Sequence, residues 1–186
     1  ANSEQRLQRE GPFFLARLSE APGRRVVDIA CGTGLHALFL AEHGAEVTAM
    51  DVSENMIRYT QTHRPHANID YRVCDMRRIQ GGPWDLALCL GNSLSVLNTE
   101  NDLKDTFSSV YRSLAPGGLF VTQTLNYHAK SAQEPRHRVE KKPMEGGELV
   151  AVKSLVPHGD HTLLSLNFFA FTAGGVDSVS ESILLR

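Results

Sequence analysis

The sequence has few cysteines. Cys31, Cys74 and Cys89 are the only three in 186 residues, and their spacing suits neither a disulfide framework nor a zinc site. Each ends or sits inside an apolar run, which fits reduced thiols in or near a core and a cytoplasmic setting. No charge of one sign dominates: 19 Lys+Arg stand against 21 Asp+Glu, a formal charge of −2. Nucleic acid held by a broad basic field is therefore not an expected partner. No apolar run approaches the ~18 residues of a membrane span, so no membrane partner is expected. Residues 1–10 are polar and charged, without the apolar stretch of a signal peptide. The eight histidines are scattered, and His63 and His66 bracket Pro65 as in a surface loop, so no metal site is expected. What is present is 41% apolar and 22% charged, an ordinary globular composition whose length favours one domain.

Strand and helix signals alternate along the first two thirds. Residues 4–20 read as a helix, with Leu7, Phe14, Leu15 and Leu18 roughly on one face and Pro22-Gly23 as its stop. Residues 25–30 (RVVDIA) read as a buried strand, 35–43 as a helix ended by Gly44, and 46–50 as a second strand closing on Asp51. Ser53 can cap a helix running to about Thr62. Residues 69–74 and 85–90 read as the third and fourth strands. Thr99 and Asp102 resemble a capping box before a helix carrying Leu103, Phe107, Val110, Tyr111 and Leu114. Pro116-Gly117-Gly118 then turns into a fifth strand, 119–125.

The strands are continuous apolar runs, as in a parallel sheet covered on both faces. Right-handed crossovers make this an α/β chain with a Rossmann-like, doubly wound, mostly parallel sheet. Residues 131–147 are polar and basic and read as a mobile loop. Residues 149–156, 163–171 and 176–185, parted by turn signals, read as an antiparallel three-stranded meander. The expected organisation is one domain, 1–186. Its core is 1–128, its loop 129–147, and its meander, 148–186, forms a cap on the acceptor side.

The informative segment is Asp28-Ile29-Ala30-Cys31-Gly32-Thr33-Gly34, which joins the first strand to the next helix. Glycines there let backbone approach a ligand at a helix N-terminus. Gly32-x-Gly34-x-x-Ala37 followed by the acid Asp51 satisfies a dinucleotide fingerprint, so a nicotinamide cofactor is one reading. Three details favour S-adenosylmethionine. Asp28 sits before the glycines, where it would repel a pyrophosphate and attract an ammonium. Cys74-Asp75-Met76 ends the third strand with an acceptor for an adenine amino group beside an apolar cover. Leu90-Gly91-Asn92-Ser93 ends the fourth strand, at the carboxyl edge where open α/β sheets bind ligands.

The ordered run VVDIACGTG, TAMDVS, CDM, LALCLGNSL and LAPGGLFV resembles the class I S-adenosylmethionine-dependent methyltransferases over roughly residues 5–125. CLGNSL and Asn126-Tyr127 resemble most the glycine and sarcosine N-methyltransferases, and the meander resembles the insertion of sugar-amine N-methyltransferases. The resemblance implies that Ala30, Gly32 and Gly34 line the methionine part of the cofactor. It implies that Asp51 binds both ribose hydroxyls, that Val52 and Met56 pack near adenine, and that Asp75 and Met76 hold the adenine edge and face. Leu90 would offer its backbone near the methionine end, and Arg6 falls where the family has an arginine for the methionine carboxylate. Asn92 would face the methyl acceptor with Tyr127 near it, and His128 is a candidate base for a hydroxyl acceptor.

The chain departs from the glycine methyltransferases at two side chains. Leu125 stands where they carry an arginine for the substrate carboxylate, and Val96 where they carry a histidine. A leucine cannot replace a bidentate fork. The expected acceptor is therefore an amine or hydroxyl of a larger, less charged small molecule. A complete class I sheet has seven strands, and the last ones are missing from this reading, which suggests a truncated chain. An unpaired fifth-strand edge would invite a homo-oligomer. The rival readings are an NAD-dependent oxidoreductase and a non-catalytic S-adenosylmethionine-binding protein.

Overall fold

The computed structural model describes residues 3–126 and 134–185. They fall into two compact units, one within 3–94 and 99–124 and the other within 95–98 and 125–185. Tyr127 and His128 lie outside the described residues.

The first unit holds α1 (Ser3–Glu20), β1 (Arg25–Ile29), α2 (Leu35–Glu42), β2 (Glu46–Asp51), α3 (Glu54–His63), β3 (Ile69–Val73), β4 (Trp84–Cys89), α4 (Glu100–Ser113) and β5 (Leu114–Thr122). The five strands form one sheet in the order β3-β2-β1-β4-β5, and every pair is parallel. All six residues of β4 and the last four of β1 are buried, which is why these runs carry no polar alternation. The core gathers Val26, Val47, Ala49, Leu86 and Leu88 from the sheet against Phe14 and Leu18 of α1 and Ala37 and Leu40 of α2. Gly11 lets α1 approach α2 closely, since a Cβ there would lie 2.7 Å from the Phe39 ring. Ser53 and Thr99 cap α3 and α4 as their sequence context indicates, accepting from the amides of Met56 and Asp102.

β5 begins five residues earlier than its apolar run does. The Pro116-Gly117-Gly118 stretch does not end the pairing, because a register shift between Trp84 and Leu86 absorbs it. The other edge of β5 has no partner strand among the described residues.

The second unit is an antiparallel sheet of β6 (Arg136–Met144), β7 (Gly147–His158), β8 (His161–Thr172) and β9 (Gly175–Leu185), in that order. Three of these are the expected meander. The fourth corrects the mobile-loop reading over Arg136–Met144: this basic stretch pairs with β7 from Arg136↔Leu155 to Met144↔Gly147, while 129–133 of the expected loop lie outside the described residues. Edge strands tolerate charge and proline, so composition marks this segment as a loop when only its neighbour makes it a strand. Among the described residues, no helix is long and apolar enough to cross a membrane.

Candidate functional site

The order of the first sheet reverses between β1 and β4, and ligands of open α/β folds sit in the crevice beyond the strand ends at such a point. The turn after β1 is built for close approach. Ala30, Gly32 and Gly34 all have left-handed backbone, with φ of 55°, 54° and 69°. That conformation costs a non-glycine residue such as Ala30 about 1–2 kcal/mol and concentrates at ligand sites. The turn is pinned by Cys31 N–H on the Met50 carbonyl and Gly34 N–H on the Cys31 carbonyl, both at 2.9 Å. A Cβ built on Gly32 would meet nothing within 4 Å, so this glycine faces open space. Gly34, at the start of α2, makes no side-chain cap hydrogen bond.

Asp51 ends β2 and closes the turn from the other side. Its Oδ2 accepts from Gly32 N–H and its Oδ1 from Ser53 N–H, each at 2.9 Å. The predicted ribose acid is therefore also the brace of the glycine turn, and each oxygen keeps a second lone pair for a hydroxyl. Val52 and Met56 follow it and are 68% and 43% exposed, so they are not core residues; they offer an apolar surface to a flat ring.

Asp28 lies on β1, two residues before the turn begins at Ala30. It is 2% exposed, and its Oδ2 has no hydrogen-bond partner. Burial pushes its carboxyl up to about 7, with the nearby Asp51 charge adding to the rise. The Ala37 amide and the Arg6 cation work against it. An orphaned buried carboxylate oxygen beside an open glycine fits an incoming ammonium.

Arg6 lies close enough to Asp28 to act on its charge, yet its own Nε donates to Glu10 Oε2 at 2.9 Å. Glu10 also meets His36 Nε2 at 3.4 Å. Burial, then the Arg6 cation, holds the His36 imidazole below its usual range. Glu10 and His36 are members of this cluster that the sequence did not indicate; no local motif marks an acid and a histidine on two separate helices.

Asp75 caps a 3₁₀ turn, Met76–Arg78, through the Arg77 amide at 2.9 Å. The Arg77 guanidinium holds both Asp75 oxygens and reaches Asp102 Oδ1 at 2.7 Å. The hydrogen bonds from that guanidinium keep the Asp75 carboxyl below the usual carboxylate range. Met76 is half-buried beside it. Sequence reasoning passed over Arg77, whose one signal is a cation two residues after the acid.

The turn after β4 is left-handed at Gly91 and Asn92, with φ of 68° and 73°, next to the buried Leu90. Gln123 secures it: its carbonyl accepts from Asn92 N–H at 3.0 Å and its Oε1 from Gly91 N–H at 3.2 Å. The structure thus brings Ala30, Gly32 and Asp51 together, sets Arg6 within charge reach of Asp28, and gives Asn92 an anchored turn of its own.

Residues 26–118, half of the chain, match the family model described as a methyltransferase domain. The glycine/sarcosine N-methyltransferase of Aphanothece halophytica is 35% identical over 134 residues, 68% of this chain and 49% of its own length. An amino pentose methyltransferase from Micromonospora echinaspora superposes with a TM-score of 0.81 at 20% identity, over 100% of this chain and 77% of that one. A sugar N-methyltransferase from a Streptoalloteichus species does so with a TM-score of 0.82 at 23% identity, over 94% of this chain and 69% of that one. The structural likenesses show a Rossmann-like methyltransferase fold. The chain belongs to the methyltransferase domain family, in its class I, S-adenosylmethionine-dependent branch. It spans less than half the length of the curated relatives it matches.

Proposed function

We propose that this chain transfers a methyl group from S-adenosylmethionine to an amine of a small, weakly charged molecule. The carrying observation is the pairing of an open glycine turn, braced by Asp51, with the unpartnered Oδ2 of Asp28. In this reading Asp28 takes the ammonium and Arg6 the carboxylate of the methionine part, while Ala30, Gly32, Gly34 and the Leu90 backbone line it. Asp51 accepts from both ribose hydroxyls. Val52, Met56 and Met76 enclose the adenine, and Asp75, whose oxygens both accept from Arg77 in the apo chain, accepts from its amino group once that guanidinium turns to Asp102. Asn92 and Tyr127 orient the acceptor.

The cofactor supplies a sulfonium methyl, an electrophile with a good leaving group. With the cofactor held there, Asn92 and Tyr127 would align an acceptor nitrogen so that its lone pair could displace sulfur at that methyl, the carbon–sulfur pair leaving with sulfur. The product ammonium then releases its proton to water. No strong base is needed. The contribution of the protein is alignment, worth up to roughly 7–11 kcal/mol in well-oriented systems.

Support for an amine comes from the names of the relatives, which are glycine/sarcosine and sugar N-methyltransferases. Leu125 and Val96 speak for a less charged acceptor than glycine, since neither can pair with a carboxylate. A cytoplasmic setting agrees with three free thiols. The nicotinamide reading has Asp28 against it, because a buried carboxylate opposes a pyrophosphate. Calorimetric titration with S-adenosylhomocysteine, with NADH as the control, tests the proposal. Micromolar binding of the first alone supports it; binding of NADH alone would overturn it.

A further inference from the structure

We infer that Glu10 is a positioning residue of the cofactor site: it holds Arg6 as a carboxylate receptor separate from Asp28, so that the two charged ends of the methionine part meet two different side chains. This rests on the proposed function and names the residue on which that recognition depends. Three donors converge on Glu10. Arg6 Nε donates to Oε2 at 2.9 Å, Arg9 Nη2 donates to Oε1 at 3.1 Å, and His36 Nε2 lies 3.4 Å from Oε2. The Glu10 side chain is 15% exposed, which sets it apart from a solvated pair along a helix, where an ion pair contributes little. Burial pushes its carboxyl up, but the bonds from Arg6 and Arg9 outweigh burial and hold it below its ordinary value. The ionised group only accepts, so His36 presents Nε2–H to it.

A guanidinium can grip a carboxylate along two edges, Nε with one Nη or the two Nη together. Glu10 occupies Nε and closes the first edge. Among the described residues, neither Nη of Arg6 has a partner. The open edge is the one at the tip of the side chain, and it suits the parallel hydrogen bonds of an incoming carboxylate.

Asp28 is the rival for this cation. Its Oδ2 is buried without a partner, and Arg6 is close enough to favour its ionised form. A buried, unpaired carboxylate gains much from a cation. An Arg6 released from Glu10 would therefore turn to Oδ2, and that one ion pair would occupy both the acceptor meant for the ammonium and the donor meant for the carboxylate. Glu10 prevents this by holding Nε, and His36 on α2 keeps Glu10 in place from the neighbouring helix. Fixing Arg6 before the ligand arrives also removes a rotamer cost from binding. A plain tether between α1 and α2 would use the same contacts, and binding experiments separate the two roles.

Calorimetry on the 186-residue chain at pH 8, above the Asp28 value of about 7, uses two probes. One is S-adenosylhomocysteine. The other is S-adenosyl-3-thiopropylamine, which keeps the ammonium and lacks the carboxylate. Arg6→Ala should weaken the first at least about tenfold and leave the second within about threefold. Glu10→Met keeps the stem and a good helix former; it should weaken both at least about tenfold, because Arg6 then pairs with Asp28. Adding Arg6→Ala to Glu10→Met should return the second probe to within about threefold of the parent. Glu10→Gln keeps an oxygen for Nε and should stay within about threefold for both. Circular dichroism checks that each variant is folded. A double variant that binds the second probe no better than Glu10→Met, or a Glu10→Met that binds both probes as the parent does, would overturn the inference and leave the cofactor reading standing. A parent that binds neither probe would overturn both.

Discussion

The Gly32 amide donates to Asp51 Oδ2 across 2.9 Å and so ties the turn after β1 to the end of β2. One carboxylate thereby shapes the glycine turn and, in the proposed function, also accepts from the ribose. The two duties can be separated by measurement. Asp51→Ala removes the acceptor for two backbone amides and should destabilise the fold by about 2 kcal/mol. It should also weaken S-adenosylhomocysteine by well over tenfold, more than that loss of stability explains in a chain that is still folded. Calorimetry at a temperature where the variant is native decides the point, and an affinity within about threefold of the parent would remove Asp51 from the cofactor site.

Gly32 and Gly34 share a left-handed backbone but not a neighbourhood. A Cβ on Gly34 would lie 3.1 Å from Thr60 and 3.2 Å from the Tyr71 hydroxyl, while one on Gly32 meets nothing. Gly34→Ala should therefore lose about 2–3 kcal/mol of stability, and Gly32→Ala only the backbone cost of about 1 kcal/mol. The order should invert for cofactor affinity, because the new methyl at 32 enters the crevice. Thermal melts and titrations on the two variants give both rankings.

If Asp28 takes the ammonium as proposed, cofactor affinity should depend on pH. Its carboxyl is raised to about 7, chiefly by burial. A carboxyl raised on folding adds stability that is complete below its unfolded value, near 4, and is lost as pH climbs through 7. Pairing with an ammonium needs the ionised form. S-adenosylhomocysteine affinity should thus rise between pH 6 and pH 8 while apo stability falls. Asp28→Asn should flatten both curves and be more stable than the parent at pH 8 by on the order of 1–3 kcal/mol. Parallel curves for parent and variant would show that another group titrates.

Asn92 holds a φ of 73° in the turn anchored by Gln123. Glycine accepts that backbone without strain. Asn92→Gly should leave stability and cofactor affinity within about 0.5 kcal/mol of the parent. Turnover with an accepted amine should fall at least about tenfold if the side chain positions the acceptor. Steady-state kinetics after acceptor screening supplies the number, and unchanged turnover would take Asn92 out of the acceptor site.

Much of the first unit was legible because its signals are local. Residues 25–30 and 85–90 are too apolar for anything but a doubly covered strand, and Ser53 and Thr99 announce the helices they cap. The glycine turn was legible for a similar reason, since its residue types answer to backbone angles that few side chains tolerate. β6 was not legible: a run of charges becomes a strand only when β7 lies beside it, and that partner is set by tertiary pairing. Arg77, Gln123 and the Glu10–His36 contact were hidden for the same reason, as each joins segments far apart in the chain or acts through a bond that composition does not record.

The sequence by itself determined the order of strands and helices in the first unit, the glycine turn and the acids at the ends of β1, β2 and β3, because these follow from hydrophobic period and backbone sterics within a few residues. Only the tertiary structure decided that Asp51 braces Gly32, that Asp28 is left with an unpartnered oxygen, and that Glu10 stands between Arg6 and His36. Those relationships depend on which chain segments are packed side by side, and that is a property of the folded whole.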